Sequence, residues 1–140
     1  MAISFNYKTI KRPDGTSTRC PIIPLTLYGK ETIEYLGLLD SGADISAIHV
    51  SVAELLELDL SGPDEEAFGI GGKVKSKTSK IRLFFKKGHE RSNLTIPVKV
   101  IYDENDFGVM LLGRKGFFEN FVITFKERQE KFTLKKAPKR

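Results

Sequence analysis

Apolar and polar residues alternate along most of this 140-residue chain, and this period of two constrains the fold more than any other feature. The alternation is clear in Ile23 to Leu27, Ile81 to Phe85, Leu94 to Val100 and Phe121 to Phe125. Successive side chains of a β-strand point to opposite faces, so each run predicts a strand with one buried face. Gly29-Lys30, which follows the first run, predicts a tight hairpin turn. We therefore expect an all-β fold.

Three features interrupt the alternation. In Ser51 to Leu58 the apolar residues recur at helical spacing, and Ser51 with Glu54 predicts a capping box at the start of a short helix. Gly113 to Asn120 predicts a second short helix. Pro97 lies inside a predicted strand and therefore indicates an edge position or a bulge, because proline cannot donate a backbone hydrogen bond.

Length and cysteine content narrow the class of protein. A chain of 140 residues is long enough for one domain but not for two, so we expect a single domain over residues 1–140. Cys20 is the only cysteine, which excludes an intrachain disulfide and fits a reducing compartment. No segment approaches the ~20 apolar residues of a membrane span, and Met1 to Pro13 lacks the apolar core of a signal peptide. We expect a cytoplasmic protein without membrane contact.

The positive charge is concentrated at the C-terminal end. The net charge of the chain, +5, equals that of Lys126 to Arg140, so the preceding residues are balanced. A basic terminus can hold a nucleic acid. Sheets that bind nucleic acid interleave aromatic and basic residues, however, and this terminus contains only Phe132 as an aromatic residue. We therefore expect a solubilising, partly disordered extension over residues 126–140 and no nucleic-acid partner.

Leu38 to Val50, with the sequence LLDSGADISAIHV, is the segment in which we expect the function to lie. An apolar run delivers one acid, Asp40, into a turn of small residues, and a second apolar patch follows. Burying a carboxylate there costs several kcal/mol unless it is hydrogen-bonded or shares a proton. An acid at the end of a buried strand is therefore a functional-site candidate. Taken alone, the triplet Asp40 to Gly42 indicates an ordinary strand-ending turn.

Three segments, in this order, resemble the retropepsin-like aspartic proteases. Asp40 to Ala43 resembles the catalytic loop, Phe68 to Gly72 (FGIGG) resembles the tip of the flap, and Val109 to Arg114 (VMLLGR) resembles the segment that opens the C-terminal helix. The resemblance covers about Pro21 to Phe125. It implies an all-β, closed β-barrel with a flap hairpin and one or two short helices.

The family resemblance also implies a mechanism. Hydrolysing a peptide bond without a metal or a covalent intermediate needs two carboxyl groups around one water, one as general base and one as general acid. The chain contains a single D-[ST]-G triplet, so the resemblance implies a homodimer in which two Asp40 carboxyls meet on a two-fold axis and cleave a polypeptide substrate. We expect no cofactor and no metal, because the sequence contains no cluster of His, Cys and acidic residues.

The resemblance assigns roles to the rest of the catalytic loop, Ser41, Gly42, Ala43 and Asp44. Gly42 allows the tight turn, and its N–H group is a donor for the carboxylate. Ser41 hydrogen-bonds across the dimer, and Asp44 pairs with Arg114, which supports the loop. Without the resemblance, Arg114 is simply a residue at the start of a helix.

The resemblance assigns the flap to the tip of a long hairpin over Glu65 to Phe85. Its polar arm, Lys73 to Lys80, predicts strands that project into solvent. The glycines permit positive φ angles, and the apolar side chain between them contacts the bound peptide. These flap residues are Gly69, Ile70, Gly71 and Gly72. Seen in isolation, the same residues are a flexible loop.

Two other functions remain open from the sequence. One keeps the fold without efficient catalysis and is a dimeric peptide-binding module. The other is a small basic β-barrel that binds nucleic acid through its C-terminal extension, against which the scarcity of aromatic residues argues.

Overall fold

The computed structural model describes residues 2–69, 72–106 and 108–139. In this part of the chain one short helix, α1 (Val50–Leu55), stands among strands, with single 3-10 turns at Phe118–Asn120 and Glu127–Gln129. The strands are β1 (Ala2–Asn6), β2 (Lys8–Lys11), β3 (Ser17–Cys20), β4 (Ile22–Tyr28), β5 (Thr32–Leu39), β6 (Ser46–His49), β7 (Glu65–Gly69), β8 (Gly72–Lys87), β9 (Glu90–Ile101), β10 (Met110–Leu112), β11 (Phe121–Lys126) and β12 (Lys131–Lys136). The predicted all-β class is confirmed.

The central sheet closes on itself. Its strands follow the order β4-β5-β10-β6-β9-β8-β7, and β4 also pairs with β8 through Thr26 and Phe84. Six strands therefore form a ring, and β7 extends from it beside β8. Alternate residues fill the interior, including Leu25, Leu27 and Leu83, which are almost completely buried. The predicted closed barrel with a flap hairpin is confirmed, since β7 and the start of β8 form that hairpin.

A second, three-stranded sheet contains both ends of the described chain. Its order is β1-β12-β11, with Phe132 opposite Phe5 on one side and Phe125 on the other. The inner face packs on the barrel through aromatic rings, such as Phe5 and Phe85, whose centroids are 6.4 Å apart. The expectation of a partly disordered terminus is therefore wrong for β12, because burial of Phe132 and Leu134 makes it the central strand.

The two predicted helices differ from the observed ones. The capping box is wrong: α1 begins at Val50, and its N-cap is His49, whose ring accepts a hydrogen bond from Ser51 N. The helix predicted over residues 113–120 is only a 3-10 turn. Gly116 has a φ of 86°, far from the negative φ of a right-handed α-helix, so a regular helix cannot run through this position.

The polar arm of the long hairpin is less free than predicted. From Ser76 onward β8 pairs continuously with β9, so only its first residues project with β7. Pro97 is in β9, an internal strand of the barrel and not an edge strand. It is tolerated because the parallel pairing with β6 begins one residue later, at Val98, and because Gly116 packs against the proline ring.

Candidate active site

Asp40 follows directly on β5, a strand held between β4 and β10. Its backbone N–H donates to the carbonyl of Leu112 at 3.0 Å, and the N–H of Leu39 donates to the carbonyl of Pro21 at 3.0 Å. Strands on both sides therefore fix the point at which the acid leaves the sheet. Such anchoring places a functional side chain more firmly than a free loop does.

The carboxylate of Asp40 is held by its own loop. Gly42 N donates to Asp40 Oδ1 at 3.0 Å, and Ala43 N donates to the Asp40 carbonyl at 3.1 Å. A Cβ at position 42 would lie 3.3 Å from Oδ1, which is a tight contact with the carboxylate itself. Glycine therefore lets the backbone approach the acid closely.

Asp40 is half-buried in the single chain, and Ser41, Gly42 and Asp44 are exposed. The expectation of a buried acid is thus not met within one subunit. The carboxylate is open to water and to a second molecule.

The segment Gly113-Arg114 supports the loop from below. Arg114 N donates to the carbonyl of Ala43 at 2.9 Å, and Gly113 N donates to the buried hydroxyl of Ser46 at 2.9 Å. A Cβ at Gly113 would lie 2.5 Å from the carbonyl carbon of Ile45, so only glycine fits. The sequence VMLLGR thus requires its glycine for close backbone packing.

Asp44 and Arg114 form the ion pair that the resemblance implies, through Asp44 Oδ1 and Arg114 Nη2. Their side chains are 85% and 58% exposed. An exposed pair in a high dielectric contributes little to stability. Its contribution within one chain is therefore to orient the loop.

The flap candidates are described in part. Gly69 pairs with Gly72 across the β7–β8 hairpin, and Gly72 has a φ of 111°, which favours glycine. Ile70 and Gly71 lie outside the described residues. At the base of the hairpin, Tyr102 N donates to the carbonyl of Lys75 at 3.0 Å, and Lys75 Nζ lies 4.2 Å from the centre of the Tyr102 ring.

Sequence reasoning missed a polar network that includes Tyr35, in the middle of β5. The side chain of His49 is only 15% exposed. Its Nδ1 lies 2.7 Å from Ser51 Oγ, and its Nε2 lies 2.6 Å from the Asp103 carbonyl oxygen. Ser51 Oγ donates to Asp106 Oδ2 at 3.1 Å, and Tyr35 OH donates to Asp106 Oδ1 at 3.4 Å. The network ties the loop after β9 to β5, β6 and α1.

Two groups in this network have shifted pKa values. The N–H of Gly108, 2.9 Å from Asp106 Oδ1, is the main cause that lowers the pKa of Asp106 below its usual value. Burial, and then the charge of Asp106, raise the pKa of Tyr35 to about 12. The contact between Tyr35 and Asp106 joins residues 71 positions apart, so it leaves no local pattern in the sequence.

Within residues 2–69, 72–106 and 108–139, no group of three or more His, Cys, Asp or Glu side chains is arranged to hold a metal ion. In the same part of the chain, none of the helices has the length and apolar character needed to cross a membrane.

Comparison with known proteins places the fold. Neither protein-family models nor curated proteins match the sequence. Among solved structures, the chain is similar to a retropepsin-like aspartic protease from Rickettsia conorii, with 16% identity and a TM-score of 0.58 over 96% of this chain and 98% of that one. It is also similar to EIAV protease in complex with the inhibitor HBY-793, with 22% identity and a TM-score of 0.41 over 68% of this chain and 82% of that one.

The class of structure is thus an all-β barrel with a flap hairpin and an acid at the end of an internal strand. The similarity to the Rickettsia structure, which spans nearly all of both chains, identifies it as the retropepsin-like fold. The resemblance read from Asp40 to Ala43, Phe68 to Gly72 and Val109 to Arg114 is confirmed at the level of the fold.

Proposed function

We propose that this protein is an aspartic endopeptidase that acts as a homodimer on extended polypeptide. The observation that supports it most is the Asp40 loop itself: a carboxylate held by the Gly42 N–H, at the end of an anchored strand, and open on its outer side. The loop is also supported by its neighbouring segment, because Arg114 N donates to the carbonyl of Ala43 at 2.9 Å.

The chemistry requires a second copy of Asp40. The ionised carboxyl of one subunit takes a proton from a water, whose oxygen bonds to the scissile carbonyl carbon, while the protonated carboxyl of the partner gives its proton to the carbonyl oxygen. The first carboxyl then gives the proton it took to the amide nitrogen and the C–N bond breaks, while one hydroxyl of the tetrahedral intermediate returns its proton to the partner's carboxylate as the carbonyl re-forms. The pair again holds one proton, and one water has been consumed. One chain supplies only half of this pair, and its exposed Ser41 is available to the same interface.

The flap hairpin fits an extended substrate. Two strands that leave the barrel at Glu65 and Ser76 present backbone hydrogen-bonding groups to a peptide regardless of its side chains. Gly69 and Gly72, which pair across the hairpin, carry no side chains that would keep a peptide backbone from approaching. We also assign the protein to the cytoplasm, because its lone cysteine, Cys20, leaves no disulfide to form within the chain.

The test compares the wild type with Asp40→Asn and with Asp14→Asn, a matched change of an exposed acid in the β2–β3 turn. Each protein is incubated with a peptide library, and new termini are identified by mass spectrometry. We expect cleavage by the wild type and by Asp14→Asn, inhibition by a pepstatin-type analogue, and no cleavage by Asp40→Asn. Peptide binding without cleavage by the wild type would instead indicate a dimeric peptide-binding module of the same fold.

A further inference from the structure

The outer face of the three-stranded sheet is an open, basic surface. The registers place its residues in three cross-strand rows. One row is Ala2, Lys135 and Val122, the next is Ser4, Thr133 and Thr124, and the last is Asn6, Lys131 and Lys126. All are exposed except Thr133, the central residue, which is half-buried. We call this surface the lysine face.

The charges of the lysine face are not balanced within the chain. None of its residues is acidic, and its three lysines form no ion pair within the described residues. The acids of the neighbouring turn are engaged elsewhere, since Glu127 accepts a hydrogen bond from Tyr7 OH and Glu130 pairs with Arg19. Lys126 lies directly opposite Lys131, and like charges in such a pair destabilise a sheet. An external anion relieves this repulsion.

The residue types indicate which anion fits. Lysine, serine, threonine and asparagine side chains are donors that contact the phosphates of nucleic acids. The lysine face has no aromatic residue on which a base would stack, so it is suited to the backbone rather than to the bases. Val122, which is 50% exposed at the rim, is its only large apolar side chain, which is too little to insert into a membrane. A second lysine face would repel the first.

We propose that the lysine face binds the phosphate backbone of duplex nucleic acid without sequence preference. This inference is independent of the proposed protease activity, and it revises the expectation of no nucleic-acid partner. That expectation treated the lysines as part of a partly disordered extension with only one aromatic residue, Phe132. The folded chain instead fixes Lys131 and Lys135 on one face of a central strand, beside hydroxyl donors from its neighbours.

The test measures the anisotropy of two labelled DNA duplexes of unrelated sequence, each of about 20 base pairs, against the full chain at several salt concentrations. Three phosphate contacts predict a slope of about 2.7 for log Kd against log salt, or about 40-fold weaker binding at 200 mM than at 50 mM. Both duplexes should bind equally. The triple variant Lys126→Gln, Lys131→Gln, Lys135→Gln should lose the slope and bind at least about tenfold more weakly at 50 mM salt.

The matched control removes three exposed lysines elsewhere, as Lys80→Gln, Lys86→Gln and Lys115→Gln, and should leave the slope unchanged. Circular dichroism checks that both triple variants fold. If the lysine-face triple variant does not fold, the single variant Lys131→Gln replaces it and should reduce the slope by about 0.9. Equal losses in both triple variants, no binding to either duplex at 50 mM salt, or binding to phosphatidylserine vesicles in place of the duplexes would each overturn the proposal.

Discussion

At the scale of single residues, the two glycines of the candidate site have different tasks. In Gly113→Ala the new methyl group meets the backbone of Ile45 at 2.5 Å, and backbone cannot turn away as a flexible side chain can. Overpacking of this kind costs about 1–3 kcal/mol. We expect urea unfolding to show that Gly113→Ala lowers the free energy of unfolding by at least about 1 kcal/mol. An unchanged unfolding midpoint would show that the loop relaxes freely.

Gly42→Ala places its methyl group 3.3 Å from the Asp40 carboxylate, not against backbone. The acid must shift by a few tenths of an ångström, so we expect the rate of peptide cleavage to fall about tenfold or more while the unfolding free energy changes by less than about 1 kcal/mol. Activity assays and urea unfolding on the same preparation separate the two effects. A variant that loses stability and activity together would contradict this division.

Because the ion pair between Asp44 and Arg114 is exposed, we expect it to contribute less to stability than a buried pair would. A buried pair would lose about 3–5 kcal/mol when one partner is removed. The observed side chains are largely exposed, so Arg114→Ala should cost less than about 1 kcal/mol. Urea unfolding at low protein concentration measures this. A loss near 3 kcal/mol would contradict the exposed geometry of the pair.

Asp106 is a residue through which we expect the stability of the folded protein to depend on acidic pH. Its folded-state pKa lies below the usual ~3.9, so the unfolded chain binds the proton first on acidification. The stability that Asp106 contributes is therefore complete above pH ~4 and is lost as the pH falls through its folded pKa. Asp106→Asn should be less stable than the wild type at pH 7, with the difference shrinking below pH ~4. A difference that is constant with pH would contradict the lowered pKa.

At the scale of elements, β12 holds the terminal sheet together. A chain ending at Lys126 loses the strand between β1 and β11 and uncovers Phe5 and its aromatic neighbours. We expect this truncation to lose both the dimer and the cleavage activity, whereas removal of residues 137–140 should change neither. Sedimentation and activity assays of both truncations decide this. A tight, active dimer without β12 would show that the terminal sheet is dispensable.

Local sequence patterns predicted individual strands far better than they predicted which strands pair with each other. The alternation around Leu25 and Leu83 predicted β4 and β8, and that of Phe121 to Phe125 predicted β11. The pairing of β1 with β12 and the β4–β8 contact that closes the barrel join residues far apart in sequence, so no local spacing specifies them. His49 escaped prediction for the same reason, because its partner Asp103 lies 54 residues away.

The features of the candidate site also fall into those that short sequence motifs indicate and those that depend on tertiary structure. The loop at Asp40 and the segment before Arg114 were predicted from their resemblance to short motifs of a known family, whereas the close approach of Gly113 to the backbone of Ile45 was not part of that prediction. The exposure of Asp40 was not predicted either, since it depends on what covers the loop. In the proposed enzyme that cover is the second subunit.

At the scale of the whole molecule, the proposed cleavage requires two Asp40 carboxyls that act together. The most direct measurement mixes wild type at a fixed concentration with increasing Asp40→Asn, under conditions in which subunits exchange, and follows the rate of peptide cleavage. Mixed dimers carry one carboxyl, so the rate should fall to about half at equal concentrations and to about a quarter at a threefold excess of the variant. A rate that stays at the wild-type level as Asp40→Asn is added would contradict the paired-carboxyl mechanism.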